Sequence, residues 1–228
     1  AFSWKVLGVI YGQTGRKLEA VNANQKAAEL SPEDSEVHNN LGVALQRLSR
    51  LNEAEVSYRR AVELSQKFAE AHNNLGNVLK ELGRLDESQD SFRQAIASKQ
   101  EYAEAHNNLG IVLYMQGRLE DAEYSYARAI EIGPDYSEAH NNLGVTLEKL
   151  GKLEEAEISG RRAVAIKPNF PEAHSNLGVT LMSAEKFEPI TFKNQFHEEF
   201  MFIRETSLVD RDQFCAEIDE LMLQGKNS

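Results

Sequence analysis

Glycine stands at Gly8, Gly42, Gly76, Gly110, Gly144 and Gly178, each 34 residues from the next. Leucine precedes every one, from Leu7 through Leu177, and three residues after the glycine come Tyr11, Leu45, Leu79, Leu113, Leu147 and Leu181. Small residues hold the same register: Ala20, Ala54, Ser88, Ala122 and Ala156, then Ala27, Ala61, Ala95, Ala129 and Ala163. A chain with this period must fold as copies of one short unit. Within each unit, counted from residue 1, positions 4, 7, 8 and 11 share one side of a 3.6-residue helix. Glycine at position 8 and alanine at positions 20 and 27 remove bulk, so two helices per unit (A, then B) can approach closely. Gly15, Gly83, Gly117 and Gly151 fall where a left-handed residue ends helix A. Ser49 and Glu185 replace that glycine, which predicts that those two turns are built differently.

One such hairpin cannot bury its apolar stripe alone, so the units must stack and share a core. Complete units span 1–34, 35–68, 69–102, 103–136 and 137–170; a sixth begins at 171 and loses its pattern at Pro189. This register resembles the tetratricopeptide-repeat (TPR) family over residues 1–184 or so. The resemblance implies an all-α, right-handed TPR superhelix, an α-solenoid of five full repeats. A partial sixth over 171–188 and a helical segment, 189–228, follow. That last segment reads as two amphipathic helices (Phe192, Phe196, Phe200, Ile203; then Phe214, Ile218, Leu221, Met222) that cap the stack or open a further domain.

Positions 2, 6, 9 and 13 lie opposite the core stripe of helix A. In TPR stacks that side lines a concave groove. Position 6 carries Asn40, Asn74, Asn108, Asn142 and Asn176, with Val6 in the first unit. Position 5, on the flank, carries Asn39, Asn73, Asn107, Asn141 and Ser175, and position 9 adds Asn77. An interior Asn costs a helix about 0.6 kcal/mol relative to Ala, so something must offset the row. A carboxamide donates and accepts at once and can pair with an extended peptide unit. The row resembles the asparagine ladder in the TPR superhelix of the nucleocytoplasmic O-linked N-acetylglucosamine transferase family, which holds extended protein segments. Bonding to neighbouring helices alone is the competing reading. From the second unit on, positions 12 and 13 vary from unit to unit while position 6 stays Asn, which favours the ladder. Helices 8–10 Å apart and about 3.3 Å per extended residue set one Asn to every third ligand residue.

The histidines at position 4 (His38, His72, His106, His140, His174) read as packing residues, too far apart for a shared metal. Glu at position 2 suits a first helical turn or an acidic rim. The cations at position 16 (Arg16, Arg50, Arg84, Arg118, Lys152, Lys186) read as solvated turn residues. Lys5 matches one carboxylate-clamp position of chaperone-binding TPR domains, but Val9 stands where that clamp needs Asn.

A net charge of −11 argues against nucleic acid and anionic membranes. Cys215 is alone, so neither an intramolecular disulfide nor a cysteine zinc site can form. A lone thiol suits a reducing compartment, and the expected location is cytoplasmic. No metal, cofactor or catalytic motif is expected, and the chain by itself does not read as an enzyme. The chain begins in mid-pattern, as a fragment of a longer protein would. Three functions follow: docking of extended peptide segments, the substrate-recruiting arm of a larger enzyme (a glycosyltransferase, sulfotransferase or oxygenase), or a scaffold that self-assembles through its ends.

Overall fold

The computed structural model describes residues 2–184, and Glu185, Lys186 and the 189–228 segment lie outside them. The described residues form eleven helices: α1 (Phe2–Gln13), α2 (Lys17–Leu30), α3 (Ser35–Gln46), α4 (Leu51–Leu64), α5 (Ala69–Glu81), α6 (Leu85–Ser98), α7 (Ala103–Met115), α8 (Leu119–Ile132), α9 (Ser137–Lys149), α10 (Leu153–Ile166) and α11 (Pro171–Ser183). Each helix packs on the next, and each odd-numbered helix also touches the following odd-numbered one. This is an all-α solenoid.

The B helices open with carboxylates in their first turn: Glu19, Glu53, Asp86 and Glu87, Glu120 and Asp121, Glu154 and Glu155. These complement the partial positive charge of a helix N-terminus. Helices α1, α3, α5, α7 and α9 are each followed by a left-handed residue. At Gly83, φ is 77°, the glycine N–H donates to the Lys80 carbonyl (3.0 Å), and the Arg84 N–H donates to the Leu79 carbonyl (2.9 Å). Both bonds satisfy carbonyls that the helix end would orphan.

Ser49 corrects the expectation of a different turn. Its φ is 58°, and the same two bonds recur, Ser49 to Gln46 at 2.8 Å and Arg50 to Leu45 at 3.0 Å. The helices on either side hold the chain path, so serine adopts a conformation that disfavours a Cβ. Ser49→Gly should therefore stabilise the protein by about 1 kcal/mol, read as a higher urea midpoint.

Interhelix contact explains the glycine register. A Cβ on Gly42, Gly76 or Gly110 would stand 2.6–2.7 Å from a ring carbon of Tyr58, Phe92 or Tyr126. Those rings, at position 24 of helix B, are at most 2% exposed. The end units differ. Asn24 takes the ring's place in the first, and its Oδ1 is buried with no partner among the described residues. Gly160 takes it in the fifth, where Leu177 of α11 packs over the gap. The alanines at positions 20 and 27 are at most 1% exposed. Positions 3 and 10 are equally enclosed: Ala71, Ala105 and Ala139, Val78, Val112 and Thr146 are all at 0%. Val78 belongs to one core cluster with Ala44, Leu45 and Tyr58 of the preceding unit.

The position-16 cations do more than meet solvent. Arg84 Nη1 reaches both carboxylate oxygens of Glu55 in the preceding unit at 2.8 Å. Arg118 Nη1 donates to Gln89 at 2.8 Å, and Lys152 reaches Glu123 at 2.7 Å. Arg84 and Arg118 also hold the carboxylate three residues on, Glu87 and Asp121. They stitch one unit to the next.

Candidate functional site

The paired asparagines occupy two different environments. Position 5 is turned inward: Asn39, Asn73, Asn107 and Asn141 are 0–4% exposed. At position 6, Asn40, Asn74, Asn142 and Asn176 are half-buried, and Asn108 is enclosed, at 8%. The two rows are joined. Nδ2 of Asn74 donates to Oδ1 of Asn39 at 3.0 Å, Asn108 to Asn73 at 3.1 Å, Asn142 to Asn107 at 3.0 Å and Asn176 to Asn141 at 3.0 Å. Each bond runs from position 6 of one unit to position 5 of the unit before it. Asn77 lies half-buried one turn along from Asn74.

At about 1 kcal/mol per net hydrogen bond, the four bonds of this zip offset the whole helix-propensity cost of the position-6 row, about 3 kcal/mol, without a ligand. It also consumes only part of each amide. Every position-6 donor spends one N–H, and among the described residues nothing donates to Oδ1 of Asn74, Asn108 or Asn142. One N–H and one carbonyl oxygen remain on each of the Asn74, Asn108 and Asn142 carboxamides, and the neighbour's amide orients it.

The position-2 row runs alongside. Glu36 pairs with Lys5, Glu138 with Lys167 at 2.8 Å, and Glu104 accepts from Nδ2 of Asn73 at 3.0 Å. Aromatic residues at position 34 sit between these carboxylates. Burial first, then Glu104 and Glu70, pushes the Tyr102 phenol up to about 12. Burial, then Glu104 and Glu138, does the same to Tyr136.

The position-4 histidines are staples rather than mere packing. Nε2 of His38, His72, His106, His140 and His174 meets the carbonyl six residues earlier at 2.9–3.3 Å, pinning each turn between units. A carbonyl only accepts, so Nε2 carries the hydrogen. Burial holds His72 and His106 below the ordinary 6.5. Their contribution to stability is therefore complete above pH 6.5 and is lost as pH falls through their lowered folded values. The urea midpoint should drop between pH 7 and 5.5, and His72→Gln with His106→Gln should flatten that slope. Among the described residues no three His, Cys, Asp or Glu side chains converge on a metal position. None of their helices is long and apolar enough to cross a membrane.

Family models described as tetratricopeptide repeat match residues 3–34, 33–101, 73–137 and 125–158, covering more than half of the chain together without a break. The chain belongs to the tetratricopeptide-repeat family. Solved structures agree. MamA is 26% identical, with a TM-score of 0.66 over 71% of this TPR chain and 95% of that one. YrrB, described as a TPR protein with an unusual peptide-binding site, is 29% identical, with a TM-score of 0.63 over 74% of this chain and 87% of that one. The pilF protein of Pseudomonas aeruginosa shares the fold at 20% identity, with a TM-score of 0.73 over 80% of this chain and 83% of that one. A comparison with curated protein sequences finds no match.

Proposed function

We propose that this TPR solenoid is a protein-interaction module that docks extended polypeptide segments along the A-helix side, through the position-6 carboxamides. The observation that carries this reading is the half-used amide. Asn74, Asn108 and Asn142 are each fixed by one bond to the preceding unit, and each keeps an acceptor and a donor. Position 5 then serves from beneath: Asn39, Asn73, Asn107 and Asn141 hold the ligand-facing amides in register. Asn40 and Asn176 extend the row, and Asn77 widens it. YrrB, of the same fold, is described as having a peptide-binding site, which supports the class.

Main-chain pairing gives affinity without demanding a sequence. Association costs several kcal/mol, so a row of about five bonds yields modest affinity. The test is capture of peptides from a random 12-residue library by the parent and by the triple variant Asn74→Ala, Asn108→Ala, Asn142→Ala. Circular dichroism establishes that both are folded. Capture by the variant should fall about 10-fold, equivalent to about 1.4 kcal/mol. Unchanged capture by a folded variant would refute the ladder.

A further inference from the structure

The position-2 carboxylates and position-34 aromatics recur together, and in one unit the arrangement holds a cation of the chain's own. Lys167 Nζ lies 2.8 Å from Oε1 of Glu138 and 4.6 Å from the centre of the Phe170 ring. Lys99, at the same place two units earlier, lies 4.9 Å from the centre of the Tyr102 ring. The unit between them has the carboxylate and the ring, Glu104 and Tyr136, but Gly133 where the lysine would be. Among the described residues no cation pairs with Glu104. Its Oε1 accepts from Nδ2 of Asn73, which is 0% exposed and accepts in turn from Asn108.

We propose that Glu104 and Tyr136 form a subsite for a lysine or arginine side chain of the docked segment. The inference rests on the docking reading above and names the chemistry at one point of the ligand. A carboxylate beside an aromatic face attracts an ammonium or guanidinium by charge and by the ring quadrupole. The anchor through Asn73 holds that carboxylate in place before the ligand arrives, so little side-chain entropy is lost on binding. The same asparagine holds the Asn108 amide, which places the subsite beside the middle rung of the ladder. A chain with a net charge of −11 also steers basic segments toward itself.

Gly133 makes the subsite testable from within. It has φ −130° as the C-terminal cap of α8. A Cβ there would meet the Ala129 carbonyl at 3.7 Å and the Cβ atoms of Ala103 and Tyr136 at 3.8 Å, ordinary contacts. Gly133→Lys should therefore supply the missing cation and plug the subsite. The probes are fluorescein-labelled 12-residue Ser/Gln/Ala peptides carrying one lysine at each inner position in turn, with norleucine as the uncharged control.

For the parent, lysine at one position should tighten Kd about 10-fold over norleucine, less in high salt. Gly133→Lys should erase that preference and Gly133→Met should keep it. Glu104→Gln, which retains an oxygen for Asn73, should also erase it. Equal binding of lysine and norleucine peptides by the parent, or a preference that survives both Gly133→Lys and Glu104→Gln, overturns the subsite and leaves the docking reading standing. No binding of any peptide overturns both.

Discussion

Gly110→Ala should destabilise the solenoid by about 2 kcal/mol, from an overpacking cost of about 3 less about 1 regained in helix propensity. The new methyl would stand 2.6 Å from Cε1 of Tyr126, 2.8 Å from Cδ1 and 2.9 Å from Cζ. Three ring carbons closer than 3.0 Å cannot be relieved by one rotamer change. The ring is 2% exposed and packs among Leu113, Ala122 and Leu109, so it has nowhere to retreat. The helices must part instead.

Gly144→Ala is the matched control, because Gly160 stands there in place of the ring and the nearest atoms to the new Cβ are the Ala156 carbonyl at 3.3 Å and the Gly160 nitrogen at 3.4 Å. That substitution should change stability by less than about 1 kcal/mol, overpacking and helix propensity nearly cancelling. Urea denaturation of the two variants reads the difference directly. Adding Tyr126→Leu to Gly110→Ala should make the glycine substitution less damaging than it is alone, since the two sites share one contact. Two destabilisations that simply add would refute the ring-on-glycine account.

Asn73→Ala should cost about 2 kcal/mol and weaken peptide capture as well. The side chain is 0% exposed. It accepts from Asn108 at 3.1 Å and donates to Glu104 at 3.0 Å. Truncation leaves the enclosed Asn108 N–H without its acceptor, a loss of about 1–3 kcal/mol. Glu104 is exposed and can turn to water. The expected loss of capture is the more telling result, because Asn73 itself does not face the ligand in the proposed arrangement. A double-mutant cycle on Asn73→Ala and Asn108→Ala should show coupling of about 1 kcal/mol in urea melts. A coupling near zero would mean that the two carboxamides act independently.

The solenoid was legible in the residues because its physics is local and repeated. Glycine at 8, leucine at 7 and alanine at 20 and 27 restate one hairpin, and Gly15, Gly83, Gly117 and Gly151 mark the helix A ends of four units. Aromatic position 24 escaped that reading. Tyr58, Phe92 and Tyr126 stand in three units, while Asn24 and Gly160 break the column. The signal that could have found it is steric: a glycine held at position 8 needs a large partner across the hairpin. Positions 3 and 10 escaped as well: Val78 shares its core cluster with Ala44, Leu45 and Tyr58 of the preceding unit, and a single hairpin does not encode that contact.

Adjacent residues on a helix point about 100° apart, so Asn73 and Asn74 had to face differently. Which one turns inward depends on how each hairpin is rotated against the one before it, and no single unit encodes that. The same holds at Ser49: its residue type argues for another turn, yet the packing of α3 and α4 imposes the left-handed one. Sequence alone determined the unit, its length and its stacking, because these follow from periodic burial. Tertiary structure decided the direction of each carboxamide, the carbonyl each histidine pins and the inter-unit partners of Arg84, Arg118 and Lys152. Those partners lie mostly in a neighbouring unit or its turn, and only the assembled stack brings them within reach.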